Sequence, residues 1–125
     1  MSLAKNKENA IAFYKTAYYG DPQKAVDLYV GDVYIQHNPD VSDGKQGFID
    51  YFNRMQKEYP DKSIEFVRVV AEGDLVALHT HQTWPRNDQY ITMDFFRFDE
   101  NGKIVEHWDS IQQIPKTSAN DNTMY

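Results

Sequence analysis

The chain has no cysteine. That excludes a disulfide framework, a cysteine-held zinc ribbon and a thiol nucleophile, and it suits a reducing cytoplasm, the expected location. No apolar run comes near the roughly 18–20 residues of a membrane span, nor is there the core of a secretory signal, so no membrane partner is expected. Positive charge is scarce: thirteen basic residues stand against nineteen acidic ones, a formal charge of −6. The basic residues are scattered, Lys5 and Lys7 being the densest group. A negative chain without a basic patch repels phosphate backbones, so nucleic acid is not an expected partner either. A Gly-rich phosphate loop, a GxSxG elbow and an HExxH helix are all missing.

What the chain does have is ring surface: nine Tyr, seven Phe and two Trp in 125 residues. This length suits one domain, which buries about two-thirds of the surface its unfolded chain exposes. Rings at that density build an ordinary core first, and often line a pocket with what is left over.

Helical spacing comes first along the chain. Ala10, Phe13, Tyr14, Ala17 and Tyr18 predict a helix over 9–19, stopped at Gly20. Asp21-Pro22 opens a second short helix as N-cap and first helical residue, with Gly31 as its stop. A β-prone piece over 33–36 runs into His37-Asn38-Pro39. The stripe Phe48, Tyr51, Phe52, Met55 and Tyr59 marks the strongest helix, from about 45 to 59, with Pro60 at its exit. The period then changes to that of strands over 63–71, 75–84, 89–98 and 103–114, with Gly102 in the last tight turn. Helices first and a meander afterwards predict an α+β domain over 1–115, with helices packed on a curved, mainly antiparallel sheet and a hollow between the layers. Residues 116–125 read as a flexible polar tail.

Four histidines, His37, His79, His81 and His107, sit on strands or strand ends. On the last strand, Val105, His107, Asp109 and Ile111 share one face, so a carboxylate and an imidazole lie between apolar neighbours. Desolvation raises the pKa of such a carboxyl and a charged imidazole lowers it, a balance suited to acid–base work near neutrality. A structural Asp–His bond that pins the strand is the alternative. Asp94, mid-strand on the same face as Tyr90 and Phe96, is costly to bury alone, and His107 is its expected partner. The pair His79 and His81, completed by His37 or His107, offers a second alternative: a transition-metal site. His37 and Asn38, at a strand end where the hollow should open, are candidates to polarise a substrate carbonyl.

Three segments carry a family resemblance: YIQHNPDVSDGKQGF (34–48), LVALHTH (75–81) and DFFRFDENGKIVEHWDSIQ (94–112). Together they resemble the SnoaL-like polyketide cyclases of the nuclear-transport-factor-two-like superfamily, in particular the branch of predicted aldol-condensation-catalysing enzymes. The resemblance spans about 9–114. It implies a cone-shaped, cystatin-like fold, with Asp109 as acid–base residue and His107 beside it in the pocket. It implies a pocket lined from His37, Asn38, His79 and His81, to which Tyr34, Phe52 and Phe96 are added as walls. It also implies chemistry without a cofactor. Relatives that hydrolyse epoxides use Asp–Arg–Asp, and Thr92 stands where that arginine would be, two residues before Asp94. The tetracyclic substrates of the named cyclases need room that the aromatic helix is expected to fill.

The expectation is therefore a cyclase- or isomerase-type enzyme acting on a small, largely apolar carbonyl compound. Asp109, His107, Asp94 and His37 would be its catalytic residues. A binding protein for a small hydrophobic ligand, without turnover, is the alternative from another class. A homodimer is expected through an outer sheet face carrying Trp84 and Trp108.

Overall fold

The structure is a computed structural model and describes residues 2–125. Helix α1 (Leu3–Tyr18) begins six residues before the predicted start at 9, because the Ser2 side chain caps it by accepting from the Lys5 N–H. Ala10, Phe13, Ala17 and Tyr18 form its buried face. Helix α2 (Pro22–Tyr29) has Asp21 as its cap. Strand β1 (Val30–Gln36) follows with no break, so Gly31 lies inside a strand and does not end a helix. The reason is close approach: a Cβ there would stand 2.8 Å from Asp99 Oδ2 of the last hairpin. Helix α3 (Gly44–Glu58) comes next, followed by the meander β2 (Ser63–Glu72), β3 (Leu75–Thr83), β4 (Gln89–Phe98) and β5 (Ile104–Gln113).

The sheet order is β1-β5-β4-β3-β2. All pairings are antiparallel except β1 with β5, which is parallel with an irregular register between Val30 and Ile35. Three helices thus cover one face of an unclosed five-stranded mixed sheet, the α+β cone of the sequence reading. Alternation decides which side chains meet the helices. Val76, Leu78, Thr80 and Gln82 of β3 are buried inward, as are Thr92, Asp94, Phe96 and Phe98 of β4. Ring packing joins helices to sheet: Phe13 stacks on Phe48 at 4.7 Å and meets Phe96 edge-on at 5.8 Å. Such pairs each contribute about 0.5–1.5 kcal/mol beyond their burial.

Two positions differ from the sequence reading. Trp84 shares the inward face with Gln82 and lines the interior, so of the two tryptophans only Trp108 lies on the outer face. Residues 116–125 form no helix or strand, yet their end returns to the sheet: the Met124 carbonyl accepts from His79, and Tyr125 stacks on His81 at 3.7 Å.

Candidate active site

Between the helices and the inner sheet face lies a cavity of about 190 Å³. Phe13, Tyr14, Phe48, Phe52 and Phe96 are among its walls, and Asp40 and Val41 come from the loop after β1. Among the described residues no lysine or arginine lines it. Of the side chains expected from sequence, Tyr34, Asn38, Phe52, Phe96, His107 and Asp109 line this cavity. Asp94 stands directly behind His107, wholly buried.

Asp94 and Asp109 are opposite one another in the β4–β5 pairing, and Phe96 is opposite His107. His107 Nε2 lies 2.9 Å from Asp94 Oδ1, and His107 Nδ1 lies 2.8 Å from Gln36 Oε1. The Gln36 amide cannot be turned round, because the same Oε1 accepts from the Asn38 backbone N–H at 3.0 Å, a group that only donates. His107 Nδ1 therefore carries a hydrogen, and a single further proton occupies the bond between Nε2 and Asp94. The carboxyl of Asp109 is half-buried and accepts from Asn38 Nδ2 at 3.1 Å. Burial pushes its pKa above the ordinary aspartate value; the charge on His107 and the Asn38 bond act the other way, and Asp94 adds to the rise.

Asn38 keeps one of its two amide hydrogens for a ligand. Its oxygen accepts from the Asp40 N–H and its nitrogen donates to Asp109, so it orients the carboxylate. His37 lies outside the cavity. With Tyr34 and Gln36 turned inward, alternation sends His37 to the outer face, 41 % exposed, where it stacks on Trp108 at 4.8 Å and meets Glu106 Oε2 at 2.8 Å. His79 and His81 also face outward, since Leu78, Thr80 and Gln82 hold the inner positions of β3. His79 lies against Arg68 and Met124, His81 against Gln89 and Tyr125.

A metal site built on the HxH pair meets neither third ligand: His107 is on the opposite face of the sheet, and His37, though outward, follows β1, from which β5 and β4 separate β3. Asp94, His107 and Asp109 do bring one ligand atom each within 4.8 Å of the others. Both nitrogens of His107 are already hydrogen bonded, however, so a cation would have to displace Asp94 or Gln36.

The sequence reading missed the polar residues that surround this centre. Tyr14, Gln36 and Gln82 were passed over, and so were Thr80 and Thr92. Thr80 and Gln82 alternate in register with the apolar Val76 and Leu78, and Thr92 with Phe96. Polar side chains on the apolar face of a strand were the available signal. Tyr14 had none, because it sits on the helical stripe that marks core.

Residues 10–107, ending on His107 and containing Asp94, match the family described as SnoaL-like domain. The chain belongs to the SnoaL-like domain family. No curated protein sequence matches it. Among solved structures it is similar to TsrD from Streptomyces laurentii, with 21% identity, 89% of this chain and 90% of that one covered, and a TM-score of 0.75. A candidate polyketide cyclase from Bacillus cereus gives 20% identity, coverage of 86% and 74%, and a TM-score of 0.75. An epoxide hydrolase from M. tuberculosis described as LEH-like gives 21%, coverage of 88% and 84%, and 0.72. At these identities the likeness is one of fold. In the SnoaL-like cavity, Thr92 donates to Asp94 Oδ2.

Proposed function

We propose that this SnoaL-like protein is a cofactor-free acid–base enzyme of the cyclase or isomerase type, acting next to a carbonyl. The observation that carries the reading is Asp109: a carboxyl with raised pKa in an aromatic cavity, fixed by Asn38, with the His107–Asp94 pair beside it. A base of this kind works best when its pKa approaches the working pH. Asp109 takes a proton from the carbon next to the substrate carbonyl, and the C–H electron pair passes into an enolate. In an aldol cyclisation that carbon attacks a second carbonyl of the same molecule, and Asp109 returns its proton to the new alkoxide oxygen. In an isomerisation the proton returns to a different carbon. Either way the protein ends as it began.

The cavity supports a small substrate. About 190 Å³ is below the roughly 300–1,000 Å³ typical of sites for drug-sized ligands, so a tetracycle does not suit it. The test is Asp109→Asn: exchange of the acidic hydrogen of small enolisable ketones into deuterated solvent should fall at least a hundred-fold, with the fold kept. Undiminished exchange would overturn the assignment. The same ring-lined cavity also suits a binding protein without turnover. In that case a bound ketone would exchange no faster than in buffer. We further propose a homodimer in which a second copy covers the outer sheet face, where Val70, Met93 and Phe95 are 63 %, 46 % and 47 % exposed.

A further inference from the structure

A row of hydrogen bonds runs along the inner face of the sheet to Asp94, and its direction is fixed at its far end. There the indole N–H of Trp84 donates to Gln82 Oε1 at 3.2 Å, and an indole nitrogen accepts nothing. Gln82 Nε2 therefore donates, reaching Thr80 Oγ1 at 3.1 Å. Thr80 and Thr92 bond hydroxyl to hydroxyl, and Thr92 bonds Asp94 Oδ2. Thr80, Thr92 and Asp94 are all buried.

A proton on Asp94 Oδ2 would have to reverse this row. It would go to Thr92, Thr92 would donate to Thr80, and the hydrogen of Thr80 would meet only the Gln82 amide, which cannot accept. A buried hydroxyl would then lose its bond, a costly outcome. The row thus runs one way, from Gln82 through Thr80 and Thr92, and Asp94 Oδ2 accepts from it. The place left for a proton on Asp94 is Oδ1, against His107 Nε2.

Two fixed neighbours act on that bond in the same sense. The Thr92 hydroxyl favours the Asp94 carboxylate over the acid, since a hydrogen bond to an ionised group is roughly twice as strong as one between neutral groups. On the other side Gln36 Oε1, held by the Asn38 N–H, accepts from His107 Nδ1 and favours the charged ring. The other titratable groups at the cavity are Tyr14 and Tyr18 on α1, Tyr34 on β1, Tyr51 on α3, and Asp40 in the loop after β1. Burial keeps the four phenols protonated beyond the usual tyrosine range, hence uncharged, and Asp40 brings only negative charge. Among the described residues no lysine or arginine lines the cavity, so His107 alone can set a positive charge beside Asp109.

We propose that Gln82, Thr80 and Thr92 are positioning residues: they aim a one-way row of donors at Asp94, hold the shared proton on His107, and so keep a cation beside the base. The benefit to catalysis rests on the acid–base reading of Asp109. An imidazolium there opposes the rise that burial imposes on Asp109, so the carboxylate is ready over a wider range of pH.

The test is NMR of protein labelled with nitrogen-15 in histidine and carbon-13 in the aspartate carboxyls. Signals lost in His107→Gln and Asp109→Asn identify the two groups. In the intact protein both ring nitrogens of His107 should read as protonated around neutral pH. In Thr92→Val the Nε2 signal should move towards that of a bare nitrogen, and Asp109 should bind its proton about three-fold more tightly or more. Thr92→Ser keeps the hydroxyl and should restore both. Thr80→Val leaves Thr92 without its directing donor and should move both signals the same way by less; it carries the test if Thr92→Val does not fold. An Nε2 already bare in the intact protein, signals indifferent to the valine variants, or a serine variant that behaves like valine overturns the proposal. Exchange of ketone hydrogens is read on the same samples. If the ring signals move as expected while exchange ignores the titration of Asp109, the acid–base reading fails and the donor row stands.

Discussion

At the scale of the residue, Asp109 carries a conflict between stability and chemistry. Burial raises its pKa, so the folded state favours the protonated acid more than the unfolded chain does. Its contribution is fully present below the unfolded pKa and is lost as pH rises through the folded value. At neutral pH the ionised carboxylate is a cost to folding. Asp109→Asn should therefore raise the midpoint of thermal unfolding at pH 7, and the gain should shrink to nothing as pH falls to where both states are protonated. A variant less stable than wild type at pH 7 would contradict the desolvation account. Activity should show the complementary limb, rising with pH through that raised pKa as the base form appears. Asp109 and His107 were legible in sequence because strand alternation sets both on one face with Val105 and Ile111. The same alternation left His79 and His81 undecided. Leu75 and Ala77 on their face look as apolar as Val76 and Leu78 on the other, and only the helices opposite distinguish the two.

Elements account for where the site opens. The loop after β1 brings Asn38, Asp40 and Val41 to the cavity, and α3 holds that loop by contact at Gly47. A Cβ on Gly47 would lie 1.9 Å from the Ser42 carbonyl oxygen, a backbone atom with little freedom to yield. Gly47→Ala should destabilise the fold by about 1–3 kcal/mol in denaturant titration, as overpacking does. It should also slow the exchange of ketone hydrogens by moving Asn38 off Asp109. Full stability in that variant would mean that the loop is not fixed by the helix. Both helices that enclose the cavity announced themselves through apolar spacing, and β4 through its bounding turns. Strand β1 was harder: its parallel pairing with β5 is irregular between Val30 and Ile35, so nothing local shows that Gln36 turns in and His37 out. Parallel neighbours far apart in sequence leave no turn between them to fix the register.

For the whole molecule, the exposed Met93 and Phe95 predict self-association. Light scattering should give about twice the chain mass of 14.6 kDa, and Phe95→Glu should return it to the monomer. A monomeric wild type would refute the dimer. The inner face has a different character, which follows from the single proton shared by Asp94 and His107. Wherever that proton sits, the pair has no net charge: imidazolium with carboxylate, or imidazole with carboxylic acid. An ionised Asp109 attracts charge on His107 and repels charge on Asp94, and once it has taken a proton both influences cease. The pair can thus redistribute polarity across one 2.9 Å bond as the reaction moves charge from carboxylate to oxygen and back. A cavity walled largely by rings needs some such compensation, because its apolar walls supply little. Here no ion has to enter and no proton has to leave.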